Sequence, residues 1–187
     1  MRDQKQNRRS PSETLFIHLL LHLGFSKPLL SEAHLREGAK AFGKRSVERA
    51  SEMIEGRLAH QMHQWPTRPS NKVPGKGVTS NGHLIEMSLL AATMYYLYGE
   101  RVHEELSMQE VINAFDLYTN IRESAGEVAK RVSPDTAFYL SRELVSHYAF
   151  IPYCPTCRVR YYSSVEQKIK NACPFCKEVG HGDCNLS

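Results

Sequence analysis

Apolar residues recur at helical spacing through most of positions 1–150, in blocks that open on hydroxyl residues and close on glycine. Ser10-Pro11-Ser12-Glu13 reads as a capping box with proline at the first helical position. Leu15, Phe16, Leu19, Leu20 and Leu23 follow, and Gly24 stops the helix. Ser31 is expected to open a second helix through Leu35, Ala39 and Phe42, closed by Gly43. Ser46 is expected to open a third, with Val47, Ala50, Met53, Ile54, Leu58 and Met62 on one face. Between Pro66 and Ser80 the periodicity fails, and three prolines, two glycines and the cations Arg68, Lys72 and Lys76 predict a basic loop.

Helical signals then return. Leu84 to Leu97 is apolar enough for a buried helix ending near Gly99. Ser107-Met108-Gln109-Glu110 is a capping box for a helix carrying Val111, Ile112, Phe115, Leu117 and Tyr118. Ser133-Pro134-Asp135 starts the last long helix, with Phe138, Leu140, Leu144, Val145 and Tyr148. Strand-like sequence is confined to the C-terminal part, where Val159 to Tyr162 and Gln167 to Asn171 are expected to form a short hairpin. The pattern predicts a mainly α protein: a helical body with a C-terminal, zinc-ribbon-like module built on four cysteines. Its expected parts are a basic helical N-terminal region (1–80, with the Pro/Gly-rich loop at 66–80), a helical core (81–150), and a zinc-binding module and tail (151–187).

The module rests on its cysteine spacing. Cys154-Pro155-Thr156-Cys157 and Cys173-Pro174-Phe175-Cys176 are two C-x-x-C knuckles separated by fifteen residues, the ligand spacing of a structural Zn²⁺ site. The proline inside each knuckle pre-sets a turn, and four thiolates close a tetrahedral shell with no open position for water or substrate. One structural zinc per chain is therefore expected on Cys154, Cys157, Cys173 and Cys176. A thioredoxin-like dithiol lacks the βαβ setting it needs. Disulfides would need an oxidising compartment, whereas Met1 is followed by a polar, basic segment without an apolar core, which reads as cytosolic. His181 and Cys184 offer an alternative ligand pair, although a loose tail with a spare thiol is the simpler reading.

Charge adds a second theme. Of 187 residues, the stretch 1–80 holds fourteen Lys/Arg against seven Asp/Glu, 81–150 five against ten, and 151–187 five against three. The longest apolar run, Leu15 to Leu23, is broken by His18 and His22 and is too short for a bilayer, so no membrane role is expected. No P-loop, G-x-G-x-x-G, G-x-S-x-G or H-E-x-x-H motif is present. The histidine pairs lack a third ligand, and neither an enzymatic activity nor a small-molecule substrate is expected.

The cations cluster instead. Lys44, Arg45 and Arg49 begin the third predicted helix, and Ala39 and Gly43 have helix-turn-helix spacing, though Arg49 falls where that motif wants an apolar residue. Arg158, Arg160, Lys168 and Lys170 flank Tyr161 and Tyr162, and strand alternation would put Arg158 and Arg160 on one side. Arg45, Arg49, Lys72, Lys76, Arg158, Arg160, Lys168 and Lys170 are the residues expected to contact nucleic-acid phosphates. The rival reading is a zinc-stapled adaptor that binds only proteins, with its cations serving solubility.

In order and spacing, several blocks resemble the FlhC-type bacterial transcription activators. Glu55-Gly56-Arg57-Leu58 and the loop closing in Pro74-Gly75-Lys76-Gly77 are similar to that family's R-L helix and P-x-K-G loop. Asn113-Ala114-Phe115-Asp116-Leu117-Tyr118 is similar to its A-Y-R-L-Y helix, and Leu140-Ser141-Arg142-Glu143-Leu144-Val145 to the helix that leads into its four zinc ligands. The resemblance covers roughly residues 41–176. It implies a cytoplasmic, nucleoid-associated activator subunit that joins an FlhD-type partner in a hetero-oligomer. Such a complex binds promoter double-stranded DNA and recruits RNA polymerase at flagellar or conjugative-transfer operons. Arg158-Val159 replaces the family's Gly-Gly after the second cysteine, the loop between the knuckles lacks the family's histidine, and the first forty residues depart from the pattern; these differences favour a mobile-element activator.

Overall fold

The computed structural model describes residues 11–32, 42–58, 73–125, 132–169 and 172–178. It is mainly helical, and the chain divides into two compact units, residues 1–68 and 69–187.

The first unit packs α1 (Pro11–His22) and α2 (Lys27–Glu32) on α3 (Lys44–Leu58). Ile17, Leu20 and Leu21 of α1 are buried with Phe25, Leu29, Leu30, Phe42, Val47 and Ala50, and the Phe16 and Phe42 rings meet edge-on at 6.2 Å. Leu15 and Leu19 are exposed instead, because α1 is apolar around most of its circumference and its sequence does not single out one face. The second helix also starts earlier than expected. Ser26 caps it by accepting the Leu29 N–H, while Ser31 lies in its last turn and donates its hydroxyl to the Lys27 carbonyl. Proline at position 28 is compatible with a first turn whose N–H groups have no helical partner. The expected capping box at Ser10, the helix-turn-helix position Ala39 and the apolar position Met62 lie outside the described residues.

The second unit is built around α5 (Asn81–Tyr98), α6 (Met108–Ser124) and α7 (Pro134–Val145), with a 3₁₀ turn at Gly99–His103. Hydroxyl caps start all three: Ser80 accepts from His83, Ser107 from Glu110 and Ser133 from Thr136. Glu110 closes the capping box by accepting the Ser107 N–H at 2.8 Å. The apolar faces meet in one core that includes Leu84, Met87, Leu90, Val111, Tyr118, Leu140 and Leu144. One buried ion pair ties α5 to α6: Arg122 donates to Glu86 at 2.7 Å, and the Tyr118 hydroxyl donates to the other Glu86 oxygen. No helix of the described residues is long and apolar enough to cross a membrane.

The proline/glycine segment that reads as a loop contains a short helix, α4 (Pro74–Gly77), packed on α7. Gly75 lies so close to β2 (Ser163–Ser164) that a Cβ there would sit 2.2 Å from the Ser164 hydroxyl oxygen. Its glycine is required by packing. The hairpin differs from expectation as well. β2 pairs antiparallel with β1 (Ala149–Phe150), Ala149 opposite Ser164 and Phe150 opposite Ser163, and an isolated bridge joins Tyr153 to Arg160. The strands therefore flank the first knuckle. Tyr162 carries its ring into the helical core and donates its N–H to Ser88, while the Gln167 side chain turns back to accept the Ser164 N–H. Those two attachments leave residues 165–169 as turn and bend, unavailable as a partner strand.

Candidate metal centre

Cys154 and Cys157 occupy the tip of the β1–β2 hairpin, where the chain reverses tightly. Cys154 N–H donates to the Val159 carbonyl and Arg158 N–H to the Cys154 carbonyl, both at 2.9 Å. Arg158 completes that turn with φ 58°, the left-handed conformation that glycine adopts most easily. Cys173 directly precedes α8 (Pro174–Glu178), which carries Cys176 in its first turn. The hairpin and α8 thus supply one pair each.

The four Sγ atoms lie within 4.8 Å of one another. Cys154 to Cys176 and Cys157 to Cys173, both pairs between the knuckles, are each 3.5 Å. A tetrahedron with Zn–S bonds of about 2.3 Å has S–S edges of roughly 3.8 Å, so the group is the right size to hold one ion. Cys154, Cys173 and Cys176 are buried, Cys157 is half-buried, and Tyr161 and Phe175 pack against the sulfurs.

The amides around the sulfurs repeat in the two knuckles. Burial opposes the Cys154 thiolate, but backbone N–H groups of Cys157 and Thr156 and the neighbouring thiols outweigh it and bring this thiol down to about 6. Cys173 receives the equivalent N–H groups from Cys176 and Phe175. Burial, with the Cys157 and Cys154 sulfurs beside it, nevertheless pushes Cys173 up to about 11. Amides aimed at the first sulfur of each knuckle favour thiolates. Four crowded sulfurs cannot all be charged without a cation among them. The donor set suits a thiophilic divalent ion, and a four-sulfur shell leaves no vacant position for catalysis.

The expected phosphate-contacting residues are divided between the two units. Arg45 and Arg49 are exposed on α3 in the first unit. In the second unit Arg158 and Lys168 are exposed. Lys76 on α4 is largely exposed and stands 3.7 Å from the Glu166 carboxylate. Arg160 is half-buried: it donates to the Ile151 carbonyl at 3.1 Å and to the Tyr95 hydroxyl at 3.0 Å. The alternation expected to put Arg158 and Arg160 on one side of a strand is interrupted, because Arg158 belongs to the knuckle turn. Lys72, Lys170, His181 and Cys184 lie outside the described residues.

Sequence reasoning passed over Tyr95, which grips Arg160, and Glu143, a buried carboxylate. Neither sits in a recognisable motif. Glu143 follows Arg142 on an ordinary helical repeat, and only the fold brings Gly75 and Tyr162 to it. Comparison with models of known protein families and with curated proteins returns no match.

Proposed function

We propose that this chain is the zinc-bearing subunit of a bacterial transcriptional activator that binds promoter DNA in a hetero-oligomer with an FlhD-type partner. It works in the cytoplasm, on the nucleoid, and engages RNA polymerase at flagellar-type or conjugative-transfer operons. Zinc on Cys154, Cys157, Cys173 and Cys176 is structural. The observation that carries the reading is the closed sulfur cage at the hairpin tip, with exposed Arg158 beside it. It supports a rigid module presenting cations, in a chain whose blocks follow the FlhC-type order. Arg45, Arg49, Lys72, Lys76, Lys168 and Lys170 add further phosphate contacts, and Arg160 contributes by holding the hairpin in place.

Anisotropy titration of promoter DNA with the co-expressed partner complex across a salt series tests this. Log Kd should rise linearly with log salt, and each phosphate-contacting cation removed should lower the slope by about one. A salt-independent affinity would sink the DNA role.

The adaptor reading keeps one observation in its favour: Tyr148, Phe150, Tyr153 and Val165 are all exposed on or beside the hairpin. An adaptor would bind its protein partner with the same affinity whether or not DNA is present. It would also leave DNA mobility unchanged.

A further inference from the structure

Glu143 is a buried carboxylate, 6% exposed, whose oxygens meet only neutral donors. Gly75 N–H donates to Oε1 at 3.1 Å and the Tyr162 hydroxyl to Oε2 at 2.6 Å. Among the described residues no Lys, Arg or His forms an ion pair with it. Glu86 is equally buried and shows the contrast, with the Arg122 guanidinium 2.7 Å away. A carboxylate removed from water costs several kcal/mol unless a positive charge compensates it, so Glu143 lacks a partner that Glu86 has. Burial holds the Glu143 carboxyl above the ordinary range, and the nearby Glu166 adds to this; its two hydrogen bonds offset only part.

Glu143 also lines a cleft of about 320 Å³, with Tyr139, Tyr148, Arg142, Ser146 and Glu166 around it. The charged walls are already engaged: Arg142 with Glu105, and Glu166 with Lys76. Ser146 donates its hydroxyl to the Arg142 carbonyl. Among the described residues the uncompensated charge is therefore Glu143, and two tyrosines line the space beside it. Aromatic faces and a desolvated carboxylate attract organic cations, whereas a hard metal ion would want more oxygen ligands than this cleft offers. The volume suits a small molecule or one long side chain.

We propose that this cleft binds an organic cation, a primary ammonium or guanidinium group, with its charge directed at Glu143 and its alkyl portion against Tyr139 and Tyr148. The proposal does not rest on the DNA-binding reading, although Tyr162 ties Glu143 to the hairpin that carries the sulfur cage. Either the proposal or that reading can fail without the other.

The test is an NMR titration of the full chain with ring-labelled tyrosine. The probes are butylammonium, agmatine, the neutral isostere n-butanol, and a capped Ala-Arg-Ala peptide. Saturable shifts of Tyr139 and Tyr148 are expected with the cations, with n-butanol about tenfold weaker or more. Tighter binding of agmatine than of the peptide identifies a free amine as the ligand; the reverse identifies a partner protein's side chain. Glu143→Gln should erase the preference for butylammonium over butanol. Because Glu143 also holds Gly75 and Tyr162, the rim variants Tyr139→Leu and Tyr148→Leu provide a second reading, each weakening the cations several-fold. Equal binding of butanol and butylammonium, no saturable shift with any cation, or rim variants that bind cations like the parent chain would overturn the proposal.

Discussion

The guanidinium of Arg160 lies 3.8 Å above the centre of the Tyr95 ring and donates to the hydroxyl of that same residue at 3.0 Å. Tyr95 passes the interaction on, since its hydroxyl donates to Glu100. One side chain thereby fastens the knuckle-bearing hairpin to α5 through a cation–π contact and a hydrogen bond, and braces the hairpin itself by donating to the Ile151 carbonyl. Tyr162 adds a second fastening from the adjoining segment by burying its ring in the core and donating its N–H to Ser88. The hairpin thus shares the hydrophobic core of the helices through Ala149, Ile151 and Tyr162, while the four cysteines and Tyr161 form a separate cluster.

Arg160→Ala should lower the melting temperature of the second unit by a few degrees, and Tyr95→Leu should do the same. The double variant should cost less than the sum, because the two residues act on each other. Thermal denaturation of the four proteins checks it. Strict additivity would mean that the stacking contributes nothing.

Arg158 holds a backbone conformation disfavoured for any residue with a Cβ. Arg158→Gly should stabilise the unit by about 0.5–1 kcal/mol, the relief of left-handed strain less the extra entropy of an unfolded glycine. Urea unfolding measures the gain. The same variant should reduce the salt slope of DNA binding by about one. Higher stability with weaker DNA binding is the expected combination, since the cation occupies a position where folding alone would prefer glycine.

Gly75→Ala should cost about 1–3 kcal/mol through overpacking, because the new methyl would collide with Ser164 and press on the Tyr162 hydroxyl. Ser164→Gly in the same chain should return part of that loss. If Gly75→Ala unfolds at the parent's denaturant midpoint, the contact between α4 and β2 is looser than described.

Two carboxylates should give opposite pH dependences. Burial works against ionised Glu110, but the Ser107 amide and hydroxyl and the Arg101 guanidinium outweigh it and hold its carboxyl below the usual 4.5. Its contribution is full above 4.5 and is lost as pH falls through the lower folded value. Burial holds the Glu143 carboxyl above 4.5. Its folded state binds the extra proton, so stability falls as pH rises from 4.5 through that higher value. Relative to the parent chain, Glu110→Gln should flatten the acid limb of the stability curve, and Glu143→Gln should improve in standing as pH rises. Denaturation series of the three proteins at several pH values distinguish these slopes.

Helices α6 and α7 were legible because each begins with a local chemical signal, a hydroxyl cap at Ser107 or Ser133 with a glutamate or proline in the first turn, and α5 because its apolar run is long. Ser80 escaped notice because it closes a proline-rich stretch that reads as loop. Apolar periodicity failed at α1, where seven of the nine positions from Leu15 to Leu23 are apolar and no single face stands out. The four cysteines were legible because their spacing alone encodes the cage. The strand pairing was not, since short strands take their partners from tertiary attachments such as Tyr162 in the core and Gln167 on Ser164. The tie of Arg160 to Tyr95 spans 65 positions, and no local pattern announces a contact at that distance.

Metal content and coordination provide the most direct test of the sulfur cage. Protein purified without added metal should contain one zinc per chain, and X-ray absorption should find four sulfurs at about 2.3 Å. Removing it with a strong chelator should unfold the hairpin and destabilise the shared core, since structural zinc contributes on the order of 10 kcal/mol. A metal-free chain with four free thiols and an unchanged melting temperature would contradict it.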